Sequence, residues 1–185
     1  MKKRITKELK ALRGNNIDGK NFIALMIMPE ENFNELNMHT IKTITNFSPK
    51  GAYVSINKPY QKIIETMEEN KIKHREIFFI DCITETACDA KNCVFIKSPQ
   101  SLTNIGIALD KIYKSKEHKF IFLDSIDSLS VYHNADTLIR FVRSIIEKVR
   151  ENNKIGMMIG VHEGIDKRIV NEISIVCDKI INLAE

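Results

Sequence analysis

KFIFLDSIDSL, residues 119–129, decides how the rest of this chain is read. Phe120, Ile121, Phe122 and Leu123 run without a break into Asp124, and hydroxyls follow at Ser125 and Ser128. A continuous apolar run, rather than an alternating one, suits a strand covered on both faces by helices. Asp124 then stands at the carboxyl end of that strand, the place where open parallel sheets take their ligands.

Similar runs recur along the chain: FIALMIM (22–28), AYVSI (52–56), IFFID (77–81), VFIKS (94–98), IGMMIGV (155–161) and KIINL (179–183). Amphipathic segments separate them. In ADTLIRFVRSIIEKVRENN, the residues Leu138, Phe141, Val142, Ile145, Ile146 and Val149 follow the i, i+3, i+4, i+7 spacing of a helix with one buried face. Pro59 sits where a first helical turn tolerates proline, and Ile63, Ile64 and Met67 continue a stripe. Ser101 is placed to cap the helix carrying Leu102, Ile105, Leu109 and Ile112. This strand–helix alternation predicts a three-layer α-β-α domain around a mostly parallel sheet. No internal repeat, low-complexity tract or Gly/Ser-rich linker divides the chain. The expectation is one domain over residues 1–185, with residues 1–20 as an N-terminal helix and lead-in.

Composition agrees. The 185 residues are 43% hydrophobic and 28% charged, ordinary for a globular protein. No run approaches the roughly 18 apolar residues of a membrane-spanning helix, and MKKRITKELK leads into a charged helical pattern with no apolar leader core. Cys82, Cys88, Cys93 and Cys177 do not resemble a disulfide framework in a chain this long, so a reduced, cytoplasmic protein is expected. The net charge of +4 is mild, and the cations read as spread along the chain rather than gathered as in a nucleic-acid reader. Lys2, Lys3 and Arg4 read as a solvated first helical turn in preference to a phosphate contact.

The strand ends bring a polar set to one rim: Glu30 after Pro29, Asn57, Asp81, Asp124, and His162 with Glu163. On these residues the chain resembles the RecA/KaiC-like ATPases. FIFLDSIDSL is similar to their Walker B strand, including the serine after the aspartate. GAYVSINKPYQKIIETMEENKI resembles the next β-α unit, and GVHEGIDKRIVNEISIVCDKIINL resembles the closing β-α-β with its Cys-Asp before the last strand. The resemblance runs from about residue 20 onward. It implies a P-loop fold, a role for Asp124 in holding the Mg²⁺ that accompanies ATP, and side-by-side assembly in which one subunit closes its neighbour's nucleotide site.

The departures from that pattern are as informative. A P-loop needs GxxxxGK[ST], because glycines let backbone N–H groups crowd around phosphate and lysine neutralises it. Here PEENFNELNMHTIKTITNF follows the first strand, and no glycine occurs between Lys20 and Lys50. Glu30, Glu31 and Glu35 place negative charge where a polyanion would lie, and Lys42-Thr43 falls too far along, inside an apparent helix. That helix has apolar positions at Phe33, Leu36, Ile41 and Ile44, with Asn32 or Asn34 as its cap. Where the family carries a glutamate that orients the attacking water, this chain has Asn57 and Lys58, and His162 stands at a polar sensor position.

Asp124 and Ser125 therefore read as a vestigial Walker B, with no catalytic residue and no metal ligand assigned. Cys82, Cys88 and Cys93 lack the paired spacing of a structural zinc site, and no GxSxG, HExxH or GxGxxG motif occurs. The expectation is a pseudo-ATPase without nucleotide cofactor, acting through a protein partner, which includes itself or an active relative. Two alternatives stay open. One is an ATPase binding ATP and Mg²⁺ through an atypical loop; the other is a nucleic-acid-binding recombination accessory.

Overall fold

The strand that carries Asp124, β5 (Phe120–Asp124), lies in the middle of a seven-stranded sheet with the order β4-β3-β2-β5-β6-β1-β7. In the computed structural model, which describes residues 1–15, 21–85 and 90–184, every pairing in this sheet is parallel. The other strands are β1 (Ile23–Met28), β2 (Gly51–Ser55), β3 (Ile77–Asp81), β4 (Cys93–Phe95), β6 (Ile155–Val161) and β7 (Lys179–Asn182). Between them run α1 (Lys2–Asn15), a 3₁₀ turn over Glu30–Asn32, α2 (Phe33–Phe47), α3 (Tyr60–Glu69), α4 (Leu102–Lys114), α5 (Ile126–Ser130), α6 (Ala135–Glu151) and α7 (Lys167–Ser174).

The continuous apolar runs are explained by two cores. Side chains alternate across a strand, so Ile121 and Leu123 of β5 join α4, α5, α6 and α7 on one face. Phe120 and Phe122 join α1, α2 and α3 on the other. Strand β1 divides likewise, with Ile23, Leu25 and Ile27 on one side and Ala24, Met26 and Met28 on the other. Gly51 begins β2 because Phe120 leaves no room for more: a Cβ there would lie 2.2 Å from Phe120 Cδ1. In α6 the expected stripe is buried at Leu138, Val142, Ile145, Ile146 and Val149, with Phe141 half-buried beside it.

Some local expectations are corrected. The edge strand β4 covers only 93–95, although the Ile96 N–H still reaches the carbonyl of Asp81 at 2.7 Å. Ser101 stands at the start of α4 but its hydroxyl makes no cap bond, and neither does Asn32 at the start of α2. Asn32 instead donates its amide to Glu31 at 3.0 Å. Capping side chains occur at Asn134, which accepts from Thr137 N at 2.9 Å, and at Asp166, which accepts from Arg168 N at 2.7 Å. Asp178, of the Cys-Asp pair, ties the lower end of the sheet together, accepting from Ile23 N at 2.7 Å and from Arg150 at 3.2 Å.

Candidate functional site

All seven strands point the same way, so their carboxyl ends share one rim and the predicted strand-end residues meet there. Asp124 is at its centre and is fully buried. Its Oδ2 accepts from the Tyr53 hydroxyl and from Asn37 Nδ2 at 2.8 Å. Tyr53 comes from the neighbouring strand β2, stacked on Phe122 with ring centroids 5.1 Å apart. Asn37 comes from the inward face of α2 and lies 3.3 Å from the Tyr53 hydroxyl. The Oδ1 atoms of Asp124 and Asn37 have no partner among the described residues.

Burial pushes the Asp124 carboxyl above the usual aspartate range, against the pull of the Lys58 ammonium and the bonds from Tyr53 and Asn37. Burial, the Asp124 charge and the bond to it push the Tyr53 phenol well above its ordinary value. Tyr53 and Asn37 are the members of this cluster that sequence reasoning missed. The available signal was a polar atom on a largely apolar, buried strand or helix face, which needs a buried partner.

Ser125 is also buried, with its hydroxyl 2.9 Å from that of Ser128, which in turn accepts from exposed Asn57 at 2.9 Å. The Asp124–Ser125 peptide bond is cis. Lys58 turns towards α2, donating to Asn34 Oδ1 at 2.7 Å with its ammonium 5.3 Å from the centre of the Phe33 ring. Asp81, though at the end of β3, is buried and committed to the backbone. It accepts from Tyr60 N at 2.7 Å, Ile83 N at 2.9 Å, Thr84 N at 3.0 Å and the Thr84 hydroxyl at 2.5 Å. It thus fixes the start of α3 and the turn after β3.

Glu30, His162 and Glu163 lie together at the other end of the rim, lining with Pro29, Glu31 and Ala184 a cleft of about 600 Å³ beyond β1, β6 and β7. None of these lining residues is a lysine or arginine. The Glu30 N–H donates to Glu163 Oε2 at 3.1 Å, so a carboxylate of the chain itself meets the first free N–H after β1. Glu35 faces away from the cleft and pairs with Lys2 of α1, which holds its carboxyl below the usual range. Lys42 and Thr43 lie within α2, bonded to the carbonyls of Asn70 and His39 at 2.7 and 2.8 Å.

Cys82 is buried and burial raises its thiol; Cys177 packs against the core and its thiol is pushed up to about 12. Cys88 lies outside the described residues. Among the described residues no cluster of His, Cys, Asp and Glu side chains is placed to hold a metal ion, and no helix is long and apolar enough to cross a membrane.

Residues 37–185 match the family model described as "ATPase: KaiC", a match that begins at Asn37. Among curated protein sequences none matches the chain. Solved structures share the fold. A KaiC-like protein of Pyrococcus horikoshii superposes with a TM-score of 0.66 at 10% identity, over 87% of this chain and 71% of that one. The flagellar accessory protein FlaH of Methanocaldococcus jannaschii gives 0.57 at 14% identity, over 95% and 76% of the two chains. An uncharacterised Pyrococcus horikoshii protein, solved with an unknown peptide, gives 0.61 at 13% identity, over 95% and 82%.

Proposed function

The chain belongs to the KaiC-type ATPase family, and from that premise we propose that it is a non-hydrolysing member whose domain serves as a protein-interaction or regulatory module. The burial of Asp124 carries this reading. A carboxylate that holds the Mg²⁺ of ATP faces the nucleotide; this one is sealed beneath Tyr53 and Asn37 and accepts a hydrogen bond from each instead.

On this reading the residues at the rim do not fit Mg·ATP. Phosphoryl transfer depends on positioning and on positive charge around the transferred group. The cleft presents Glu30, Glu31 and Glu163 instead, with the Glu30 N–H already bonded to Glu163. Asn57 and Lys58 offer no carboxylate to orient a water, and both are engaged, with Ser128 and Asn34. A sheet edge whose central carboxylate is sealed from solvent and bonded through Oδ2 to Tyr53 and Asn37 suits a scaffold. The related fold solved with a peptide supports binding of a protein segment as the kind of task that such a scaffold performs.

The test is steady-state phosphate release at millimolar Mg·ATP. The expected rate equals that of a buffer control and is unchanged in Asp124→Asn. Turnover above background that disappears in Asp124→Asn would overturn the proposal.

A further inference from the structure

The cations are spread along the chain, but the net charge, counted by element, is not. Helix α1 contains Lys2, Lys3, Arg4, Lys7, Lys10 and Arg13 against the single acid Glu8, a net of +5 in 14 residues. The whole chain is +4, so everything outside α1 sums to −1. The net positive charge of this protein is that of one helix.

Packing decides what this helix offers. Ile5 and Leu9 are fully buried in the core shared with α2 and β7, so the apolar side of α1 is already in use. Of the acids near it, Glu8 is drawn aside by Lys179 of β7 at 3.4 Å, and Glu35 pairs with Lys2 at the helix start, leaving the other cations of this face free of it. Lys3, Arg4, Lys7 and Lys10 are exposed and make no ion pair with the described residues. Together with Lys2, Thr6 and His39, the three lysines line an open groove of about 500 Å³ between α1 and α2. Within it Thr6 Oγ1 and His39 Nε2 are bonded at 2.8 Å.

The arrangement works against the isolated helix. The first turn of α1 has no acid, so its cations stand at the positive end of the helix dipole. Lys3 and Lys7, then Lys7 and Lys10, are like charges at the i,i+4 and i,i+3 spacings that repel. An anionic partner relieves both effects. From Lys3 to Lys10 the helix rises roughly 10.5 Å, about the axial advance of three nucleotides along one strand of a duplex.

We propose that the exposed face of α1, with its groove against α2, binds the phosphate backbone of nucleic acid without reading sequence. A protein partner fits less well, because protein interfaces are anchored by aromatic and apolar residues and are depleted in lysine. Met1 apart, the exposed residues of this face include no large apolar side chain. A bilayer fits less well too, because an interfacial helix must insert an apolar face, and that of α1 is buried. The inference stands independently of whether the strand-end site hydrolyses ATP.

The test is fluorescence anisotropy of the full chain with labelled 20-nucleotide single-stranded and 20-base-pair DNA of scrambled sequence. Four phosphate contacts from Lys3, Arg4, Lys7 and Lys10 give a log–log salt slope of about −3.6 on duplex, so raising salt from 50 to 200 mM weakens binding about 150-fold. Two scrambled sequences bind equally. Lys3→Glu/Lys7→Glu/Lys10→Glu, on exposed positions and checked for native helix content, loses binding at 50 mM salt. The milder Lys3→Gln/Lys7→Gln/Lys10→Gln flattens the slope by about 2.7, a change that loss of structure alone does not produce. Charge reversal at Lys97 and Lys116, away from α1, leaves binding within about threefold. Undiminished binding by the triple Glu variant would overturn the proposal. So would a salt-independent affinity, or preference for phosphatidylserine vesicles or polyglutamate over DNA.

Discussion

Replacing Asp124 with alanine separates a carboxylate kept for structure from one kept for a ligand. In the folded protein its Oδ2 is the shared acceptor of the Tyr53 hydroxyl and the Asn37 amide, and the residue is fully buried. Asp124→Ala strands two donors where water does not reach. Each stranded donor costs about 1–3 kcal/mol, partly offset because Asn37 Nδ2 still lies 3.3 Å from the Tyr53 oxygen. The expected loss is about 2–4 kcal/mol, which at an m-value of about 2 kcal/mol/M lowers the urea midpoint by about 1–2 M. A carboxylate held in place for an absent cation behaves oppositely, since removing it relieves an uncompensated buried charge. Asp124→Asn keeps one oxygen acceptor and destabilises less. It also removes a pH dependence whose sign follows from the raised carboxyl. Between the ordinary aspartate range and its higher folded value, the native state binds more protons than the unfolded chain, so stability falls as pH rises through that window. Asp124→Asn flattens that fall. A urea midpoint unchanged or raised in Asp124→Ala would refute the reasoning.

Two further outcomes test the scaffold. Asn134→Ala removes the cap bond to Thr137 N and is expected to lose about 1 kcal/mol, whereas Ser101→Ala, with no cap bond to lose, changes the urea midpoint by much less. Gly51→Ala drives a methyl to 2.2 Å from the Phe120 ring in a closed core; a loss of about 1–3 kcal/mol is expected, and a neutral result in thermal melts contradicts that packing.

The sheet was legible because its strands are buried on both faces. That turns Phe120–Leu123 and Ile155–Ile159 into continuous apolar runs with no competing helical reading. The rim was legible for a topological reason: parallel strands put all their carboxyl ends on one edge, so Glu30, Asn57, Asp81, Asp124, His162 and Glu163 had to gather there. What each residue does at the rim was not legible. Tyr53 and Asn37 are 71 and 87 positions away from Asp124 in the chain, and only the packing of α2 over β2 and β5 brings them onto its carboxylate. Asp81 carries the same signature as Asp124, a carboxylate ending an apolar run, yet is taken up by Tyr60, Ile83 and Thr84. The caps at Ser101 and Asn32 failed because a suitable residue type at a helix start does not fix its rotamer. The charge of α1 was present in the sequence, but its free face became visible only once Glu8 was seen to pair with Lys179 and Glu35 with Lys2 alone.

The most direct measurement for the central claim, that the strand-end site is closed to nucleotide, is the thermal midpoint of the full chain with and without saturating Mg·ATP. A ligand that binds only the native state at 100 times its Kd adds about 2.7 kcal/mol, equivalent to a rise of about 5–11 °C for a chain of this size. With Asp124 sealed beneath Tyr53 and Asn37, and Glu163 on the Glu30 N–H, no rise is predicted. A rise of several degrees that is lost in Asp124→Asn would contradict the account.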